Sequence, residues 1–419
     1  MRTPFAALSC SLFLLAGSAV AVAADLSERY VVEVHRPERV YAGTTIFTDT
    51  TDPLAPVIVE VDMAGKVIWS YAMARSDHDD MDVEWIPQSD HILFTQSSGV
   101  YEVDRSGKIV WSHKAPSSHD ADRLANGNTL VVWGWGTDSA SPEVREVDPS
   151  GKLVWAWHAA EHLKGERRIF AQEGFTHTNS ATRLGNGNTL ISLRNFFMLV
   201  EVDPAGRIVW KLSDLYTTPH DPEILANGNI LVNTRMPQVI TEFTPAGRIV
   251  WQYQPDQNEV NTVRSVHRLP NGNTILSERT KIIEITPERE IVWQLRLKNV
   301  DRGMQDRGRH LYKVERIPLD KTPFAAPVYV APSETLKRSG ESMLSADERN
   351  RDVVRMRVPD LFKRMDADRD GRIARSEFTG QAPFEAFDTN EDGFISFDEA
   401  VEFFYKQMMA QRRRTFPPL

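Results

Sequence analysis

Two stretches near the end of the chain place acidic residues at spacings that suit a hard cation. Residues 366–377 read DADRDGRIARSE and residues 388–399 read DTNEDGFISFDE. Each offers side-chain oxygens at positions 1, 3 and 5, a glycine at 6, an apolar residue at 8 and a glutamate at 12. A calcium ion takes about six to eight oxygen ligands, the glycine permits the sharp turn, and the final glutamate closes the shell with both oxygens. The expected side-chain ligands are Asp366, Asp368, Asp370 and Glu377, then Asp388, Asn390, Asp392 and Glu399. Arg372 and Phe394, at the seventh positions, are expected to add backbone carbonyls. Ile373 and Ile395 are placed to pair across a short β-bridge between the loops.

These are two EF-hand loops in tandem, and they predict two bound Ca2+ ions. Their starts, Asp366 and Asp388, are so close that the intervening helices must be very short. Phe378, Phe384 and Phe387 are expected to form the shared core of a compact pair, more structural than sensory in build.

A second set of reactive side chains recurs upstream. His119, in SSHDADRLANGN, and His220, in TPHDPEILANGN, each lie seven residues before the asparagine of an Asn-Gly step. In FTHTNSATRLGNGN, Asn179 holds that offset and His177 lies two residues earlier. His78 occupies a similar loop at a looser offset, and His267 falls closer to its turn, within a strand. Arg194, Arg235 and Arg279 each follow the turn asparagine by eight residues. Imidazoles and guanidiniums focused at one place would make an anion site despite the net charge of −9. That acidic total disfavours a general nucleic-acid binder.

The elements that position these groups come from a repeat. VIVEVDMAGKVIW, VYEVDRSGKIVW, VREVDPSGKLVW, LVEVDPAGRIVW, ITEFTPAGRIVW and IIEITPEREIVW close on Trp69, Trp111, Trp155, Trp210, Trp251 and Trp293, spaced 42, 44, 55, 41 and 42 residues apart. Alternating β-branched residues around a turn make each phrase a hairpin, and the Asn-Gly segments such as RLANGNTLVV make a second. Four strands per repeat of this length predict a mainly β chain, a six-bladed β-propeller over 25–318. The aspartate, glycine and tryptophan of the phrase are structural, with the tryptophan packed between blades. Equivalent offsets in successive blades lie on one ring about the axis, so the histidines should converge.

Other segments complete the organisation. Residues 1–24, with Arg2, an apolar stretch and Ala21-Val22-Ala23-Ala24, form a signal peptide holding the chain's single cysteine, Cys10. The mature protein is therefore expected to be periplasmic or secreted and free of disulfides. No later stretch reaches the roughly 18 apolar residues of a membrane span. Prolines 323, 327 and 332 mark a linker over 319–351, the EF-hand pair occupies 352–411, and 412–419 is a basic tail.

The segment HTNSATRLGNGNTLISLRN, with His177, Asn179, Ser180 and Arg194, resembles the corresponding segment of bacterial arylsulfate sulfotransferases. HDPEILANGNILV at His220 and HDADRLANGNTLV at His119 resemble the His-Asp propeller motifs of the same family. The resemblance spans about 40–318 and excludes the EF-hands. It implies transfer of a sulfuryl group from an aryl sulfate to a phenol through a sulfohistidine, with no organic cofactor. His220 would be the nucleophile, and His119, His177, Asn179 and Arg194 the surrounding donors and proton carriers. Periplasmic members of the family carry a disulfide and a sizeable N-terminal β-domain, and a mature chain without cysteine departs from that pattern. The alternative is a non-catalytic propeller that binds a protein or glycan, with calcium as a structural ion. A third reading, a quinone-dependent enzyme, rests on the likeness of EVDPSGKLVW to the repeats of quinoprotein dehydrogenases, which have more blades.

Overall fold

The computed structural model describes residues 26, 28–52, 54–75, 81–171, 173–215, 218–235, 238–255, 263–298, 311–323 and 330–415. The signal segment and His78 lie outside these residues, as does the side chain of Arg235. Among the described residues, no helix is long and apolar enough to cross a membrane.

Six antiparallel sheets form the six blades of a propeller. Blades 2 to 5 each use four consecutive strands, beginning at Val83–Ile86, Ala121–Arg123, Thr178–Arg183 and Glu223–Ile224. Blade 6 begins at Ser265–Arg268 and gains a fifth, outer strand from Tyr30–His35. In blade 1 the innermost strand is Leu311–Pro318, paired antiparallel with Gly43–Asp49. Both chain ends of the propeller are thus tied into its sheets, the C-terminal strand into blade 1 and the N-terminal strand into blade 6.

The recurring phrase proves structural in each blade. Its aspartate accepts the backbone N–H groups of its own turn, as Asp62 does from Ala64 and Lys66, both at 2.9 Å. The turn's fourth residue is left-handed, which glycine adopts freely, as Gly151 does at φ 84°. Blade 6 has Arg289 there, at φ 72°. Each tryptophan donates its indole N–H to a carbonyl in the turn of the next blade at 2.9–3.0 Å, from Trp69 to Arg105 round to Trp293 and Met63. Burying the indole body while its N–H is paired makes the residue an inter-blade fastener.

The glutamate of each phrase faces the next blade as well. Glu102, Glu146, Glu242 and Glu284 pair with Arg123, Arg183, Arg268 and Arg316. Those arginines also lie over the tryptophans, as Arg123 does over Trp111 at 4.5 Å. Blade 5 carries Ile224 where the arginine would stand. The fully buried Glu201 instead accepts the Ser333 N–H at 2.8 Å and the Ser333 hydroxyl at 2.7 Å. Ser333 opens α1 (Pro332–Ser339), whose N-terminus also favours an anion. The segment 319–351, expected to be a linker, therefore contains a helix that fills the propeller's own vacancy. Glu201→Ala strands those donors and should cost about 1–3 kcal/mol. A thermal midpoint lowered by a few degrees checks this, with exposed Glu341→Ala as an unchanged control.

Beyond α1 come α2 (Ala346–Arg355), α3 (Val358–Met365) and α4 (Phe397–Thr415). Ser345 caps α2 reciprocally with Glu348. One hydrophobic cluster joins Phe197, Leu212, Leu215 and Phe243 of the propeller to Val353, Val358, Phe387, Val401 and Met408 of the helical module. The module is packed into the side of blades 4 and 5, and its core is continuous with theirs. The sequence suggests a compact pair joined through a linker over 319–351.

Candidate functional site at the channel mouth

The innermost strands converge on the propeller axis, and their first residues form two successive rings. The upper ring carries Met81, His119, Asn179, His220, Arg264 and Tyr312, one from each blade. The next carries Asp82, Asp120, Ser180, Asp221, Ser265 and Lys313.

In the upper ring His119 and His177 meet Nε2 to Nε2 at 3.1 Å. Both backbones are left-handed, at φ 72° and 47°, a conformation costly for a bulky residue and held here by the surrounding turns. Arg194 places Nη1 2.6 Å from His177 Nε2 and 3.0 Å from Glu173 Oε2. His220 lies 6.1 Å from His119, centroid to centroid, and its Nε2 is 3.2 Å from the Tyr312 hydroxyl. Asn179 does not reach the histidines. Its amide donates to the Pro219 carbonyl at 2.8 Å and so fixes the residue before His220. The His220 N–H donates to the Asn233 carbonyl, and Asn233 Oδ1 accepts the Asp221 N–H, both at 3.0 Å. His119, His177, Asn179 and His220 are each 1 % exposed.

All five residues expected from the sequence thus gather at one end of the axis. Two further ones were missed. Arg264 lies seven residues before Asn271, the same offset as His119 and His220, and its guanidinium is 5.4 Å from the Tyr312 ring centroid. Tyr312 has no such signal, since its strand arrives from the far end of the repeat array without an Asn-Gly turn. Of the three arginines expected together, Arg194 touches a histidine. Arg279 is buried in the loop whose carbonyl receives the Leu311 N–H. His267 lies on an inner strand, 2.9 Å from the Ser265 hydroxyl, where burial lowers its pKa.

Beneath this ring, Lys313 reaches across the axis to Asp221 at 2.8 Å, Asp120 at 3.3 Å and Asp82 at 3.6 Å. Burial opposes its charge, but the three carboxylates outweigh it and raise its pKa well above the usual lysine range. Burial also pushes Asp120 up to about 7, against the pull of Lys313. The carboxyls two residues further along, Glu223 and Glu315, are raised to about 8 by burial although each accepts a backbone N–H from the next blade. These acids fasten neighbouring inner strands and surround a single lysine.

At the other end of the chain the calcium loops have matching geometry. Asp366 accepts from the N–H groups of Asp370 and Gly371 at 3.1 and 3.0 Å, and Asp388 from those of Asp392 and Gly393 at the same distances. Glu377 and Glu399 each fold back onto the start of their loop, at the N–H of Ala367 and Thr389, both 2.9 Å. Ligand atoms of Asp366, Asp368 and Asp370 lie within 4.8 Å of one another. In the second loop Asn390 replaces the middle aspartate, and its Oδ1 accepts the Asp392 N–H at 2.9 Å. Gly371 and Gly393 are left-handed, at φ 86° and 87°. Ile373 pairs with Ile395, both fully buried, in a two-stranded bridge opened by Arg372 and Phe394. An acidic, oxygen-only cluster wrapped by a turn fits calcium.

Two family models match parts of the chain. Residues 30–221 match the family model of arylsulfotransferase (ASST), a span that contains His119, His177, Asn179, Arg194 and His220. Residues 360–379 and 382–403 match the EF-hand model. Among solved structures, a protein of unknown function from Bacteroides caccae is similar at TM-score 0.48 and 20% identity, over 65% of this chain and 98% of its own. A streptogramin B lyase is similar at TM-score 0.42 and 11% identity, over 65% and 89%. Virginiamycin B lyase from Staphylococcus aureus is similar at TM-score 0.41 and 11% identity, over 65% and 90%. No curated protein matches the sequence.

Proposed function

We propose that this arylsulfotransferase-like propeller, followed by its EF-hand pair, transfers a sulfuryl group from an aryl sulfate to a phenol. One observation carries the reading. Three buried imidazoles, a guanidinium and a phenol meet at one end of the axis: His119, His177 and Arg194 are in hydrogen-bond contact in series, His220 is in contact with Tyr312, and the two sets approach to 6.1 Å between the His119 and His220 centroids.

His220 is the nucleophile, because its Nε2 faces the Tyr312 hydroxyl and its backbone is held by Asn233 and, through Pro219, by Asn179. Nε2 attacks sulfur, the S–O bond to the aryl group breaks, and the phenolate leaves with the bonding pair. A sulfohistidine remains, and a second phenol reverses the step on it. The proton lost by the acceptor and gained by the leaving group passes through the His119–His177 pair, whose Nε2 atoms approach to 3.1 Å. Arg194 and Tyr312 supply donors for the sulfuryl oxygens as charge moves onto them. Release of nitrophenol from 4-nitrophenyl sulfate in the presence of a phenol tests the reaction. Parallel double-reciprocal plots are expected for the two-step transfer. Absence of release would overturn the assignment.

The ligand sets support two Ca2+ ions, one in each loop, in a protein exported to a calcium-rich compartment. A bound ion supplies a doubly positive centre that cancels the repulsion among the loop carboxylates. Saturation at about a hundredfold over Kd is worth about 2.7 kcal/mol per site. Two sites should raise the thermal midpoint by roughly 10 °C. Glu377→Gln with Glu399→Gln should remove that shift in a calcium titration, and a surviving shift would refute the ligand assignment.

A further inference from the structure

Resting on the reading of the channel mouth as an anion site, we propose that Arg412 is a positioning residue for Arg194, coupling that site to the second calcium loop. Helix α4 begins at this loop. Glu399, the expected closing ligand, lies in its first turn, and Arg412 lies in its last. The two residues are 13 positions apart, about 20 Å of continuous helix.

At the far end Arg412 meets the segment that carries Arg194. Its Nη2 donates to the Leu215 carbonyl at 3.2 Å, and its guanidinium sits 5.7 Å from the Phe197 ring centroid. Asp214 Oδ1 lies 4.0 Å away. The Leu215 N–H donates to the Phe197 carbonyl at 3.0 Å, and the Phe197 N–H donates to the Arg194 carbonyl at 3.1 Å. Arg194–Phe196 is a single turn of 3-10 helix that Phe197 terminates. An unbroken series of contacts therefore runs from a calcium loop to the guanidinium beside His177.

Two features make this series responsive as well as adhesive. Phe197 and Asp214 both have left-handed backbones, at φ 51°, and neither is glycine. Such residues keep that conformation only while their surroundings enforce it. Arg412 bears on both, and its side chain is 13 % exposed, so its interactions are weakly screened. When the second loop orders around its ion, the N-terminus of α4 is fixed through Glu399. Arg412 then holds the Asp214–Leu215 corner against Phe197, and the turn keeps Arg194 2.6 Å from His177.

Coupling of this kind is reciprocal between ligands. Calcium should tighten binding of phenyl sulfate by about fivefold or more, and phenyl sulfate should tighten calcium binding by the same factor. Arg412→Ala should erase the factor while the protein still binds calcium, and Arg412→Lys should restore part of it. Arg413→Ala, exposed on the same helix, should behave as wild type. A merely structural Arg412 would lower the thermal midpoint without altering the calcium dependence of anion binding.

The deciding measurement is amide hydrogen exchange on the full chain, with calcium and with chelator. Slower exchange at 194–198 and 213–215 with calcium, lost in Arg412→Ala, is the expected result. Equal exchange in the wild type under both conditions would overturn the proposal, whether or not nitrophenol is released. Calcium-dependent exchange without turnover would leave the coupling standing and sink only the transfer chemistry.

Discussion

His220→Ala should release nitrophenol from 4-nitrophenyl sulfate on the order of 10⁴-fold more slowly than wild type, because losing a nucleophile removes the covalent route itself. The effect should fall on kcat with little change in substrate affinity, since Arg194, Tyr312 and the His119–His177 pair remain to hold the anion. His220 is fully interior, with its Nε2 3.2 Å from the Tyr312 hydroxyl. Its removal opens a cavity of modest size in a ring tied by many other contacts, so the variant should fold and unfold near the wild-type temperature. Radiolabelled donor offers a second readout. Wild type quenched in acid-free buffer should retain label on one histidine, and the variant should retain none. If His177→Ala abolishes labelling while His220→Ala keeps it, the roles of the two residues must be exchanged.

The parts of this site differ in how far the chain reveals them. Both EF-hand loops are legible because every expected ligand falls within twelve consecutive residues, so spacing alone encodes the pattern. The blades are legible because each hairpin carries its own turn chemistry. His119, Asn179 and His220 follow from symmetry, since one offset before the Asn-Gly turn becomes one ring in space. Arg264 obeys the same offset and was open to the same argument. Tyr312 and Lys313 were not, because their strand closes blade 1 from a distance of more than two hundred residues and has no Asn-Gly partner. The seating of the helical module was equally hidden. Its key contact joins Glu201 to Ser333, 132 residues apart, and the local sign is an isoleucine at 224 where blades 1, 3, 4 and 6 carry arginine.

Lys313 tests the second ring most severely. Lys313→Met leaves Asp82, Asp120 and Asp221 facing one another in a buried space with no cation among them. Breaking a buried charge set by removing one partner costs about 3–5 kcal/mol. That corresponds to a midpoint lower by roughly 10 °C at pH 8. The deficit should shrink as the solution is acidified. Asp120 already titrates near 7, and without Lys313 its pKa moves further up. A carboxyl whose folded pKa exceeds its unfolded value contributes stability below the unfolded pKa and loses it as pH rises through the folded one. The same sign applies in the wild type to Glu223 and Glu315, both near 8, and to buried Glu143, near 7. His267 acts in the opposite sense. Its lowered pKa gives stability above about 6.5 that is lost on acidification, as does that of His113, but the raised buried carboxyls outnumber these two histidines. The wild-type midpoint should therefore fall between about pH 5 and pH 9. Glu315→Gln, which keeps an acceptor for the Trp85 N–H at neutral charge, should flatten that slope. A Lys313→Met deficit that stays constant from pH 5 to pH 9 would show that the lysine acts by packing alone, and the three aspartates would need another explanation for their burial.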